Sequence, residues 1–197
     1  MVRRLELAGA LLAGCLSTPA APAGFLLGDM TMYDQTDLHP AGQPEAASFQ
    51  AVATTTVDEL GIFYEDNGGA ATIEVALYSN TFILQSGHGD ADQLLAAGTI
   101  ATPHQGWNAV TLDTHVVVTA GEYYWIAGMA PVAPGNQGMG FRYHYTGDAS
   151  TTTDGMCDVH KGPCTEHGPS MLSAFPVQWD ETERFAPSLN SFYASHQ

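Results

Sequence analysis

Positive charge is nearly missing from this chain. Its 197 residues include five Lys and Arg against 21 Asp and Glu, a formal net charge of −16. The five are Arg3, Arg4, Arg142, Lys161 and Arg184. Affinity for nucleic acid comes largely from Lys and Arg displacing counterions, so so acidic a surface excludes nucleic acid as a partner. Anionic lipid headgroups are disfavoured for the same reason. The carboxylates are scattered rather than gathered at ligand spacing, and solubility in a salty or extracellular medium accounts for them more simply than cation binding. Long apolar runs are also absent: no segment reaches the ~20 residues that cross a bilayer. There is no G-x-S-x-G elbow, H-E-x-x-H helix or phosphate-cradling glycine loop, so the expectation is a protein that is not an enzyme. Sustained helical periodicity is missing as well.

The first residues read as an address. Met1-Val2-Arg3-Arg4 is a basic start, and 5–14 is a short, mostly apolar run interrupted by Glu6. Such a run suits the h-region of a secretory signal. It ends in Leu12-Ala13-Gly14-Cys15, which resembles the lipobox of bacterial lipoproteins, whose cysteine is acylated and becomes the mature N-terminus. The resemblance implies that Cys15 carries lipid, that 16–24 is a flexible tether, and that the lipid is the membrane contact at the cell envelope. Cleavage after Ala21-Pro22-Ala23, an A-x-A-like site, would instead release a secreted protein. The chain has three cysteines. Cys157 and Cys164 are close enough to pair, which leaves Cys15 over, and a lipidated or a discarded cysteine explains the odd count equally well. The expected organisation is a signal, lipobox and tether over 1–23 and one domain over 24–197.

From about Ala46 onward the chain reads as short β segments between turns. Ile73, Val75 and Leu77 alternate with Thr72, Glu74 and Ala76, as a strand with one buried face requires. Leu60, Ile62 and Tyr64 do the same, and the intervening Glu65-Asp66-Asn67-Gly68-Gly69 suits a hairpin turn. Further strands are expected over 94–100, 107–112, 115–118, 122–129, 138–145, 171–179 and 190–194. A helical turn is possible over 90–97, and 81–93 reads as an exposed loop. The polar stretch 146–170 holds both later cysteines, and a loop of that length is usually functional or stapled. Many short strands at regular spacing predict an all-β, antiparallel β-sandwich, jelly-roll-like and single-domain.

These segments form an ordered series. It runs through Val75-Ala76-Leu77-Tyr78-Ser79, Leu94-Leu95-Ala96, Gly106-Trp107-Asn108-Ala109-Val110-Thr111-Leu112 and Thr119-Ala120-Gly121-Glu122-Tyr123-Tyr124-Trp125-Ile126-Ala127. It closes on Ser191-Phe192-Tyr193-Ala194-Ser195. The series resembles the jelly-roll-type accessory domains of secreted bacterial proteins over about residues 49–194. That resemblance implies a sandwich related in shape to carbohydrate-binding modules and brings no catalytic residue with it. It departs from the pattern at 146–170.

Three chemistries are candidates. Cys157, His160, Cys164 and His167 spell C-x2-H-x3-C-x2-H, two thiolates and two imidazoles of the kind tetrahedral zinc accepts. In an exported chain a disulfide between Cys157 and Cys164 is the favoured reading, with Gly162-Pro163 providing the turn. Sugar rings stack on flat aromatic faces, which makes Tyr124, Trp125, Tyr143 and Trp179 candidate ligand-binding residues for a glycan. The alternation of Phe141, Tyr143 and Tyr145 with Arg142 and His144 favours an inward aromatic face instead. Glu65, Asp66 and Asn67, and Asp90 with Asp92, are oxygen donors suited to a structural calcium, although neither group fills a site by itself. No cofactor is otherwise expected, and zinc is the less favoured metal. His39, His104 and His115 read as surface or strand-edge residues. The functional expectation is a non-catalytic, exported protein that presents a binding or structural surface at the cell envelope to a glycan or another envelope protein. A secreted carbohydrate-binding module is the alternative, and a metal-binding protein using the loop from Cys157 to His167 is the second.

Overall fold

The computed structural model describes residues 24–83, 88–145, 165–180, 183–185 and 188–196. Their regular structure is all β. The strands are β1 (Phe25–Gly28), β2 (Gln35–Pro40), β3 (Glu45–Gln50), β4 (Thr55–Glu65), β5 (Ile73–Ile83), β6 (His88–Ile100) and β7 (Gly106–Val118). Then come β8 (Tyr123–Met129), β9 (Gly138–Tyr145), β10 (Thr165–His167), β11 (Glu183–Phe185), β12 (Ser188–Asn190) and β13 (Phe192–Ser195). They make two antiparallel sheets in a single-domain β-sandwich.

The first sheet is built around β4. On one side β7 pairs with it from Thr55↔Val118 to Tyr64↔Gly106. On the other side β13 pairs with residues 59–62 of β4, and β9 takes over at Tyr64 and Glu65. β1 lies beyond β13, while β2 and β12 both pair with β9. The second sheet runs β11-β10-β3-β8-β5-β6.

Alternation explains the core. Val57, Leu60, Ile62 and Tyr64 of β4 face Ile73, Val75 and Leu77 of β5, with Ile126, Met139, Phe141 and Phe192 between the sheets. Burying one such aliphatic side chain stabilises the fold by roughly 1.5–3 kcal/mol. The second sheet is covered on its outer face as well. Ala46, Ala76, Ala91 and Ala127 form a low floor beside Tyr78 and Trp125, and Phe175 and Trp179 of residues 168–180 pack over it. Tyr78 meets the rings of Phe175 and Trp179 edge-on at 6.1 and 5.1 Å.

Several local expectations are corrected. The segment 65–69 is no hairpin, because β4 and β5 belong to different sheets and the segment crosses between them. The positive φ falls on Gly69 rather than on Asn67. β5 and β6 are the hairpin partners, so the stretch read as loop (81–93) and the possible helical turn (90–97) lie largely in long strands. Residues 107–112 and 115–118 belong to one strand whose pairing jumps from Val57↔Val116 to Glu59↔Thr111. The extra residues of that bulge hid the continuity. Residues 171–179 are irregular apart from one bridge, Gln93↔Gln178, because this segment covers a sheet face instead of extending a sheet. Finally, β1 and β2 precede the point where the strands were expected to begin.

Candidate metal centre

β2 is an edge strand, exposed at every position except one. That one is His39, at 3% exposure. Pro40 ends the strand, an edge position that tolerates a residue without an N–H. The chain then turns: Gln43 N–H donates to the Pro40 carbonyl at 3.1 Å. Gly42 has a φ of +82°, at the position where a type II turn needs it. A β-carbon on Gly42 would lie 2.7 Å from the Leu172 nitrogen and 2.9 Å from the Met171 Cα, so the turn is also tightly packed. It carries the chain from the first sheet into β3 of the second, which begins with Glu45, also 3% exposed. On the neighbouring strand β10, His167 sits directly opposite Glu45.

The turn thus brings together four donors from three strands. The metal-ligating atoms of Asp37, His39, Glu45 and His167 all lie within 4.8 Å of one another. His39 Nε2 is 3.0 Å from Glu45 Oε2 and 3.5 Å from Asp37 Oδ2. His167 Nε2 is 3.9 Å from Glu45 Oε2. Donors on a tetrahedral ion with bonds near 2.05 Å stand about 3.3 Å apart, inside this range. The two imidazoles meet edge-on at 4.4 Å, and His39 also meets Phe141 edge-on at 4.9 Å.

The hydrogen bonding is incomplete where an ion would sit. Neither ring nitrogen of His39 has an aligned hydrogen-bond partner, nor does Glu45 Oε2, close as the charges are. Buried polar atoms normally find partners, and each exception calls for a cause. The outer contacts are in place: Asn190 Nδ2 donates to Glu45 Oε1, and the Gln43 amide lies 3.5 Å from His167 Nδ1. Such second contacts fix the orientation of metal ligands.

Charge follows the same geometry. Burial opposes the protonated form of His39, but Asp37 and Glu45 outweigh it and lift the imidazole to about 9. Contact with His39 holds the Asp37 carboxyl below the usual carboxylate range, against a smaller opposing effect of burial. Two carboxylates and two neutral imidazoles carry two negative charges, which one divalent cation cancels. The mixed nitrogen and oxygen set fits zinc-class ions; calcium takes six to eight oxygens.

Sequence reasoning found one member of this cluster. His167 was expected to join Cys157, His160 and Cys164, which lie outside the described residues, as does Cys15. His39, expected at the surface or at a strand edge, does lie on an edge strand but is buried there. Its burial depends on an edge strand that no alternating pattern announced, so Asp37 and Glu45 went unnoticed too. His104 and His115 are exposed, and His115 Nδ1 lies 2.6 Å from Asp58.

The candidate aromatics do not form one surface. Trp125 and Trp179, at 0% and 6% exposure, lie under and within the outer cover of the second sheet. Tyr124 points the other way from β8 and packs against the inner core. Tyr143 is half-buried on β9, in the other sheet. The acidic turn is also engaged: Glu65 pairs with Arg142 and accepts from Gln105 at 2.6 Å, and Asp66 accepts from the Tyr64 hydroxyl at 3.0 Å. Among the described residues the one grouping with metal-ligand geometry is that around His39.

Fold and cluster together define the class: a two-sheet antiparallel β-sandwich with a buried histidine–carboxylate centre at the turn between its sheets. No protein-family model matches the chain, and no curated protein matches it in sequence.

Proposed function

We propose that this chain is an exported, non-catalytic β-sandwich that holds a divalent ion of the zinc class through Asp37, His39, Glu45 and His167 at the cell envelope. The observation that carries the reading is the convergence of ligating atoms from Asp37, His39, Glu45 and His167 within 4.8 Å of one another, three of these residues being buried. The closed setting favours a structural over a catalytic ion. His39, Glu45 and His167 are buried, and with Asp37 at the mouth the chain supplies all four donors, leaving no open position for substrate. Export, lipidation at Cys15 and the kinship with jelly-roll accessory domains belong to the same proposal and rest on the sequence resemblances. The carbohydrate-binding alternative draws no support from Trp125 and Trp179, whose faces are covered.

The test is elemental analysis of the purified protein after equilibration with zinc and removal of the excess. About one zinc per chain is expected for the wild type and none for a His39→Ala, His167→Ala double variant. Equal zinc in both would refute the site. Incorporation of a fatty-acid analogue into wild type but not into Cys15→Ser separates an anchored from a released protein.

A further inference from the structure

We infer that the ion at this centre controls the docking of residues 168–180 over the outer face of the second sheet; the inference rests on the metal reading above. The covalent route is short. His167 is the last residue of β10, and the cover begins at the next one. The Gly168 amide donates to the Pro44 carbonyl at 3.1 Å and the Leu172 amide to the Gly42 carbonyl at 3.0 Å. Pro44 and Gly42 lie in the turn bracketed by His39 and Glu45. One end of the cover is therefore tied to a turn whose two flanks, like the cover's own leading residue, are ligands of the centre.

Beyond this end the cover is held by the buried rings of Phe175 and Trp179 and by few regular hydrogen bonds. It has no continuous strand and relies on separate bonds: Val132 N to Leu172 O at 2.7 Å, Leu94 N to Val177 O at 2.8 Å and Trp179 N to Asp92 O at 2.7 Å. The Tyr78 hydroxyl adds a bond to the Pro176 carbonyl at 2.8 Å. Met171 is 76% exposed and sits at a φ of +67°, a conformation that disfavours a residue with a side chain. Segments with few regular hydrogen bonds open first. What this one hides is an aromatic and alanine surface, Tyr78, Trp125, Ala46, Ala76 and Ala127, which would meet water if the cover lifted. With an ion bound, β10 and the turn are fixed to each other, and lifting the cover from its tied end strains or breaks the coordination. Without it, β10 is a three-residue strand near the sheet edge.

Hydrogen–deuterium exchange of the full chain, with zinc or with a chelator, tests this when zinc content is measured on the same samples. If opening must release the ion, amides of 168–180 exchange about 100-fold more slowly at free zinc 100 times Kd. Peptides from β7, on the far sheet, report global unfolding, which zinc also opposes; in chelator they are expected to exchange more slowly than 168–180. Glu45→Gln, which cannot complete the centre, is expected to show chelator-like exchange in both conditions. Bound zinc with unchanged exchange over 168–180, or 168–180 exchanging no faster than β7 in chelator, would overturn the coupling and leave the metal site standing. Absence of bound zinc would overturn both.

Discussion

Replacing Glu45 by Gln gives the sharpest test of the centre, because the two side chains have nearly the same shape. Asn190 donates to Glu45 Oε1, and a glutamine oxygen can accept the same bond. The new amide N–H can donate to a neutral His39 Nε2, 3.0 Å from the present Oε2, so the variant keeps its packing and exchanges the ion pair for a hydrogen bond. What it loses is the charged ligand. A ligand that binds only the folded state at 100 times Kd stabilises it by about 2.7 kcal/mol. In a domain of this length each kcal/mol moves Tm by about 2–4 °C, so zinc is expected to raise the wild-type Tm by about 5–11 °C. Scanning calorimetry with and without zinc, at one protein concentration, reads the shift. For Glu45→Gln the metal-free Tm is expected below wild type, because a buried ion pair is lost, with little or no response to zinc. An equal zinc response in wild type and variant would refute the assignment, and so would a wild type that does not respond.

Three further outcomes follow from the packing. Gly42→Ala places a β-carbon against the Leu172 nitrogen at a φ of +82°, and is expected to cost about 1–2 kcal/mol or more in urea unfolding; a change under about 0.5 kcal/mol would contradict the turn geometry. Arg142→Met removes the cation that pairs with the buried Glu65 and is expected to destabilise by about 3 kcal/mol, with Glu65→Gln in the same background recovering part of the loss. Burial, with Glu74 and Glu59 adding to it, pushes the phenols of Tyr78 and Tyr193 above their ordinary value. Because these folded-state values are raised, their contribution to stability is complete below about pH 10 and is lost as pH climbs further. Alkaline titration is therefore expected to show these phenols ionising together with unfolding; smooth ionisation in a still-folded chain would count against it.

The sandwich was legible because its inner face obeys a period of two. Ile73, Val75 and Leu77 announce a buried side, and so do Leu60, Ile62 and Tyr64. Sheet membership was harder to read. Asn67-Gly68 is good turn chemistry, yet whether a turn returns the chain to the same sheet or sends it to the other depends on partners far along the chain. The metal centre was hidden for a related reason. Gln35-Thr36-Asp37-Leu38-His39-Pro40 has no apolar alternation, because β2 lies at an edge and buries only His39. Its companion donors lie six residues onward, across the turn, and more than a hundred residues further still, and only pairing between β3 and β10 brings the last two together. The outer aromatics misled in another way, since a face that looks free on a two-layer drawing is occupied here by a third, irregular layer.

The alanine floor beneath that layer has a bearing on how the sequence can vary. Ala46, Ala76 and Ala127 are each at 0% exposure and make room for segment 168–180 to ride close to the sheet. A bulky residue at any of them would act as a wedge: it would jack up the outer layer while the interior between the sheets stayed intact. Drift at these three sites and at Phe175 and Trp179 should therefore occur in concert, largely independent of drift in the main core.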